Sequence, residues 1–158
     1  AYRRQRQMCI RDRTQGLVTT VLNQGRHTVG RIFQRGVILN RSTLVFNGIG
    51  KIIKGAKGSD AQQESRVLML SRRARGDANP LLLIDENDVT AGHAASVGRV
   101  DDDQMYYLMS RGISERMARK LVIRGFMGEV LAKMPTQAAQ QKVMAEIERK
   151  LQYEDDEI

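Results

Sequence analysis

Short apolar, β-branched runs follow one another from Thr14 to about Gly92. They occupy residues 17–22, 28–33, 37–39, 42–46, 49–53, 65–70 and 80–84. Gly, Asn and Asp stand in most of the gaps: Asn23, Gly25, Gly36, Asn40, Asn47, Gly48, Gly55, Gly58, Gly76, Asp77 and Asn79. Strands this short and this frequent leave no room for crossover helices, so this half is predicted to be all-β. Three- to six-residue strands beside Gly/Asn corners suit a solenoid, in which strands of successive coils stack in parallel. A sandwich, with longer alternating strands, stays open on periodicity alone. The absence of a strict hexapeptide period argues against the left-handed kind of coil.

From Asp101 the period becomes helical. Asp101 to Gln104 reads as a capping box, and Met105, Leu108 and Met109 follow at i, i+3 and i+4. Gly112 is placed to end that helix in the left-handed conformation. Ser114 caps a second helix with Glu115 in its first turn. Its predicted apolar face holds Met117, Ala118, Leu121, Val122, Phe126 and Val130, and Met134-Pro135 breaks it. A third helix carries Ala139, Val143, Ile147 and Leu151, with Glu146 and Lys150 spaced to pair. The predicted order is residues 14–98 as β core, 101–152 as a three-helix C-terminal domain, and 153–158 as an acidic tail.

Composition narrows the function. The 158 residues carry a net charge of +8, and hydrophobic residues make up 41%. That suffices for a packed core, but only 4% are aromatic and none is Trp, so the core must be aliphatic. No apolar run is long enough to span a membrane, and no signal peptide is expected at the arginine-rich start. Half of the net charge falls in residues 1–13, which lack amphipathic period and resemble translated adapter sequence; a non-native or disordered segment is expected there. The single cysteine, Cys9, lies inside it. One thiol cannot build a disulfide or a multi-thiolate metal site within the chain, which points to a reducing, cytoplasmic setting. There is no phosphate-binding Gly-Lys-Ser/Thr loop and no supported Cys/His or Ser/His/Asp set, so no enzyme is expected.

Residues 79–131 are the specific part. The words DVTAGHAASVG (88–98), QMYYL (104–108), SRGI (110–113) and RGF (124–126) stand in one order at fixed distances. They resemble the C-terminal part of the SufB/SufD family of iron–sulfur cluster assembly proteins, the SufD branch more than the SufB. Residues 60–70 and 78–80 extend the likeness to roughly residues 14–152. The resemblance implies a right-handed parallel β-helix, here its last coils, followed by a helical domain. It implies a non-catalytic scaffold subunit that pairs with a SufB-like subunit through the β-helix and docks a SufC-like ATPase through the helices. The cargo would be a nascent iron–sulfur cluster at the interface of the pair, with no cofactor stably held by this chain and neither nucleic acid nor membrane as partner.

The resemblance also points to residues. His93 is the cluster-assembly candidate and the candidate metal ligand, since neutral imidazole suits iron. Members with a cysteine two residues earlier place a thiol where this chain has Ala91. Tyr106, Tyr107, Arg111, Gly112 and Phe126 fall in the region implied to dock the ATPase, and Gly125 beside Phe126 suggests close helix approach. Asp85, Glu86 and Asp88 read as turn residues, with an oxygen-rich iron site around His93 as the alternative. His27 is expected to be structural. The alternative function is a nucleic-acid-binding helix-turn-helix, with Arg116, Arg119, Lys120 and Arg124 on its second helix.

Overall fold

The computed structural model describes residues 13–153, with side chains through Lys150. Cys9, the arginine-rich opening apart from Arg13, and the acidic residues 154–157 lie outside the described residues. Six strands come first: β1 (Thr14–Asn23), β2 (Val29–Ile38), β3 (Thr43–Ile52), β4 (Ser59–Met69), β5 (Arg75–Ile84) and β6 (Val89–Arg99). Three helices follow: α1 (Asp102–Ser110), α2 (Glu115–Ala132) and α3 (Gln137–Tyr153). Strands and helices form two separate compact units. Among the described residues no helix is long and apolar enough to cross a membrane.

The strands alternate between two sheets. One has the order β1-β3-β5 and the other β2-β4-β6, and every pair is parallel. Each pass of the chain gives one strand to each sheet, and successive passes stack. Thr14 lies beside Thr43 and Thr43 beside Arg75, while Gly30 lies beside Ala61 and Ala61 beside Ala91. Parallel pairing throughout sets aside the antiparallel sandwich and gives a β-helix-like arrangement of three coils.

The strands are longer and fewer than the apolar runs suggest. Each has 10 or 11 residues, so the runs at 28–33 and 37–39 are one strand and those at 42–46 and 49–53 another. β6, with its Gly/Ala-rich sequence, shows no apolar run at all. Gly36, Asn47, Gly48, Gly76, Asp77 and Asn79 are not corners but strand residues. The reason is crowding inside a narrow coil. A Cβ at Gly36 would run into Leu44 Cδ2 and lie 3.1 Å from the Phe46 ring. Glycine at such a site makes room for a large neighbour instead of turning the chain. The true corners hold Asn40, Gly55 and Gly58, all with positive φ.

The middle coil makes the core. Along β3 buried and half-buried residues alternate without a break. Ile38, Leu44, Phe46, Val67 and Ala74 form one apolar cluster, and Ile52, Ala56 and Ala61 another. Burial of one such Ile or Phe side chain contributes about 1.5–3 kcal/mol. Between them lies a polar layer that the apolar pattern did not predict. Buried Gln34 donates from Nε2 to Thr19 Oγ1 (3.1 Å) and accepts at Oε1 from Ser65 Oγ (2.6 Å). Gln63 Nε2 donates to the Leu81 carbonyl (3.1 Å).

The helical unit follows its sequence signals more closely. Gly112, with φ +82°, closes α1: its N–H donates to Met109 O (3.0 Å) and that of Ile113 to Leu108 O (3.3 Å). Ser114 caps α2 by accepting from the Met117 amide at 3.4 Å. The buried residues of α2 are Ala118, Ile123 and Leu131, whereas Met117 and Leu121 are exposed. The apolar face is thus turned from the predicted one. Gly125 is exposed, and a Cβ there would meet nothing within 4 Å, so it marks no close helix approach. Glu146 is held by Arg149 at 2.8 Å.

Candidate functional site

His93 sits in the middle of β6, the last strand of its sheet. Its register partner is Gln63, and that of Gln63 in β2 is Ile32. In a parallel ladder partners share a face, so His93 continues a row whose earlier members are buried. His93 itself is exposed because no described strand lies beyond β6. Its neighbours along that face are Ala91 and Ala95, too small to cover an imidazole. The last described strand thus presents an open edge with an accessible imidazole near its middle.

The carboxylates before it belong to a different structure. Asp85, Glu86 and Asp88 form the corner after β5. Glu86 accepts from the Gly55 amide (2.9 Å) and the Asn87 amide (3.1 Å), and the Gly55 bond foremost holds its carboxyl below the usual range. The Asp85 amide donates to Ile52 O (2.9 Å), and Asp88 O accepts from the Gly58 amide (2.7 Å). These bonds staple the last corner to the one before it, so the turn reading holds. Asp88 is five residues from His93 along an extended strand, about 16 Å. Among the described residues no three of His, Cys, Asp and Glu are grouped to hold a metal ion. The oxygen-rich site around His93 does not form among the described residues. His27 is a corner residue with φ 56°, its amide bonded to Lys57 O (2.8 Å) and its ring against Gly58.

On the helices, Tyr106 is 75% and Tyr107 57% exposed. The Arg111 guanidinium stacks 5.1 Å from the Tyr107 ring centroid and donates to its hydroxyl at 3.1 Å. α1 ends at Ser110, so Arg111 stands in the turn that Gly112 completes. Met109, Met117 and Leu121 are exposed as well, while Phe126 is half-buried. Tyr107, Arg111 and Gly112 are thus brought together, and α1 and α2 carry solvent-facing apolar side chains. On α2, Arg119 pairs with Glu115 (2.6 Å) and Arg124 with Glu148 (3.2 Å), so carboxylates already engage cations that the helix-turn-helix alternative needs.

Sequence reasoning missed the polar layer inside the coil. Gln63 is 4% exposed, and its Oε1 has no partner. A Cβ at Gly48 would lie 2.7 Å from that oxygen. The available signal was the pair Gln34 and Gln63, each flanked by residues of strand character, which polarity alone assigns to the surface.

Comparison with known proteins agrees with the sequence words. The family model for the SUF system FeS cluster assembly, SufBD core domain, matches residues 5–126. The iron-sulfur cluster assembly protein SufD of Bacillus subtilis is 52% identical over 140 residues, covering 89% of this chain and 32% of that protein. SufD of Escherichia coli is 32% identical over 121 residues, covering 77% of this chain and 29% of that protein. A SufBD family protein of Mycobacterium tuberculosis is 44% identical over 98 residues, 61% of this chain and 25% of its own length. The chain spans about a third or less of the curated relatives it matches. It belongs to the SufBD core family of iron–sulfur cluster assembly proteins, and its likeness is to the SufD branch.

Proposed function

We propose that this chain serves as a non-catalytic scaffold subunit of iron–sulfur cluster assembly in the cytoplasm. On this reading its three coils are the last of a right-handed parallel β-helix. The open β6 edge pairs with a SufB-like subunit, and the exposed Tyr107–Arg111 face of α1 and α2 docks a SufC-like ATPase. The observation that carries the reading is His93 on an accessible terminal strand in a chain 52% identical to a SufD. The nascent cluster is cargo. His93 offers one nitrogen to its iron, and the partner supplies the remaining ligands, because Ala91 has no donor.

The test is a pull-down of the chain with a purified SufC-type ATPase, with the ATPase rate followed alongside. Binding that survives moderate salt and vanishes when residues 102–158 are deleted is expected. Retention on DNA in a salt-sensitive manner, without ATPase binding, would replace the reading with the helix-turn-helix alternative. A His93→Ala chain is expected to bind both partners normally and to lower the yield of assembled cluster.

A further inference from the structure

The two long edges of the solenoid differ in charge. One edge carries the corners at residues 39–42 and 70–74, the starts of β1, β3 and β5, and the ends of β2, β4 and β6. It holds Arg13, Arg41, Arg72, Arg73, Arg75 and Arg99, all exposed. The sequence has no Asp or Glu from 14 to 59, nor from 65 to 76. Asp60 and Glu64 are already engaged with Arg31 and Arg35. None of the six edge arginines makes an ion pair among the described residues; Asp77, two residues after Arg75, and Asp101, two residues after Arg99, are the carboxylates nearest to them along the described chain. The opposite edge is balanced, with Arg26, Lys54 and Lys57 beside Asp85, Glu86 and Asp88.

Backbone bonds bring the edge arginines together. The Leu70 amide donates to Ile38 O (2.9 Å), Ser71 Oγ to Asn40 O (2.6 Å) and the Arg75 amide to Ser42 O (3.0 Å). The Thr43 amide donates to Arg13 O (3.0 Å), and Arg99 is the register partner of Met69. Three coils stack within roughly 10 Å, comparable to one Debye length at physiological salt, so these cations repel one another. Such a field is relieved by negative charge supplied from outside.

We propose that this edge docks an acidic segment of a partner protein. The cations are all arginine, whose planar fork accepts a carboxylate in two parallel bonds and loses little freedom in doing so. Corners 39–42 and 70–75 hold no aromatic side chain on which a nucleic-acid base could stack. Neighbouring coils stack their arginine-bearing backbone segments about 5 Å apart, a spacing that lets these side chains reach successive carboxylates on one extended peptide. The proposal is independent of the role given to His93 and to the helices.

Fluorescence anisotropy of a labelled Glu/Asp-rich peptide, titrated with the 158-residue chain at physiological salt, tests it. Arg41→Gln, Arg72→Gln and Arg73→Gln combined are expected to weaken binding about tenfold or more. The charge-matched set Arg26→Gln, Lys54→Gln and Lys57→Gln is expected to change it less than about twofold. Three results would each overturn the proposal: equal loss in the two sets, no saturable binding by the unaltered chain, or tighter binding of an oligothymidylate of equal charge. Among the substituted side chains only Lys57 has a described interaction, its charge acting on Glu86, and circular dichroism verifies that both sets keep the fold.

Discussion

Glu86 ties the corner before β6 to the corner before β4 through a single carboxylate. The Gly55 amide and the amides of its own turn favour its charged form, so its carboxyl ionises below the usual range. A group depressed in this way contributes stability that is present above its unfolded pKa and is lost as pH falls through the folded one. Glu86→Gln is therefore expected to melt lower than the unaltered chain at neutral pH. The difference should shrink as pH drops below the ordinary glutamate range, and melting temperatures between pH 3 and 7 would reveal it. A constant difference across that range would remove the charge from the explanation. Gly36 makes a second residue-scale case. Its hydrogen side faces Leu44 and Phe46 in the packed core, and Gly36→Ala is expected to cost roughly 1–3 kcal/mol in urea unfolding. Both roles were only half legible. Glu86 reads correctly as a turn residue. Gly36 reads as a corner because glycine marks corners and crowded strand interiors with the same letter.

Among the elements, β2 and β4 are joined by more than their ladder. Gln34 and Ser65 are register partners and bond inside the coil, with Gln34 reaching on to Thr19 of β1. A buried polar layer of this kind specifies which rungs face each other, because a one-residue slip would bury unpaired donors. Gln34→Leu leaves the Ser65 and Thr19 hydroxyls without that partner and is expected to cost roughly 1–3 kcal/mol. Adding Ser65→Ala should then cost less than it does alone, with a coupling of about 0.5–3 kcal/mol in a double-mutant cycle. Additive costs would mean that the layer does not act as a unit. Among the helices, the α1–α2 junction follows its signals at Gly112 and Ser114, since capping is a local matter of a few residues. The buried face of α2 does not follow periodicity alone. Of the predicted stripe Ala118 is buried, yet Met117 and Leu121 are exposed, while Ile123 and Leu131 from outside it are buried.

For the whole molecule, the two terminal coils govern behaviour in isolation. Inward residues of β1 and β5 are only half-buried, and Val18, Leu22, Leu81 and Leu83 are exposed on the outer face of that sheet. Open parallel edges with apolar flanks pair readily with other chains. The 158-residue chain alone is expected to associate as concentration rises, which light scattering coupled to gel filtration would detect. A stable monomer with one cooperative melting transition would contradict this. By itself the sequence determined the strand-rich half before the helices, the helix caps at Gly112 and Ser114, and the family, through the words around His93. These are local properties or strings long enough to be specific. Only the tertiary structure decided the length of the strands, the existence of β6, the polar layer at Gln34 and Gln63, and the gathering of six arginines along one edge. Each of these depends on residues about 30 positions apart meeting across stacked coils, which neither periodicity nor composition within one window can express.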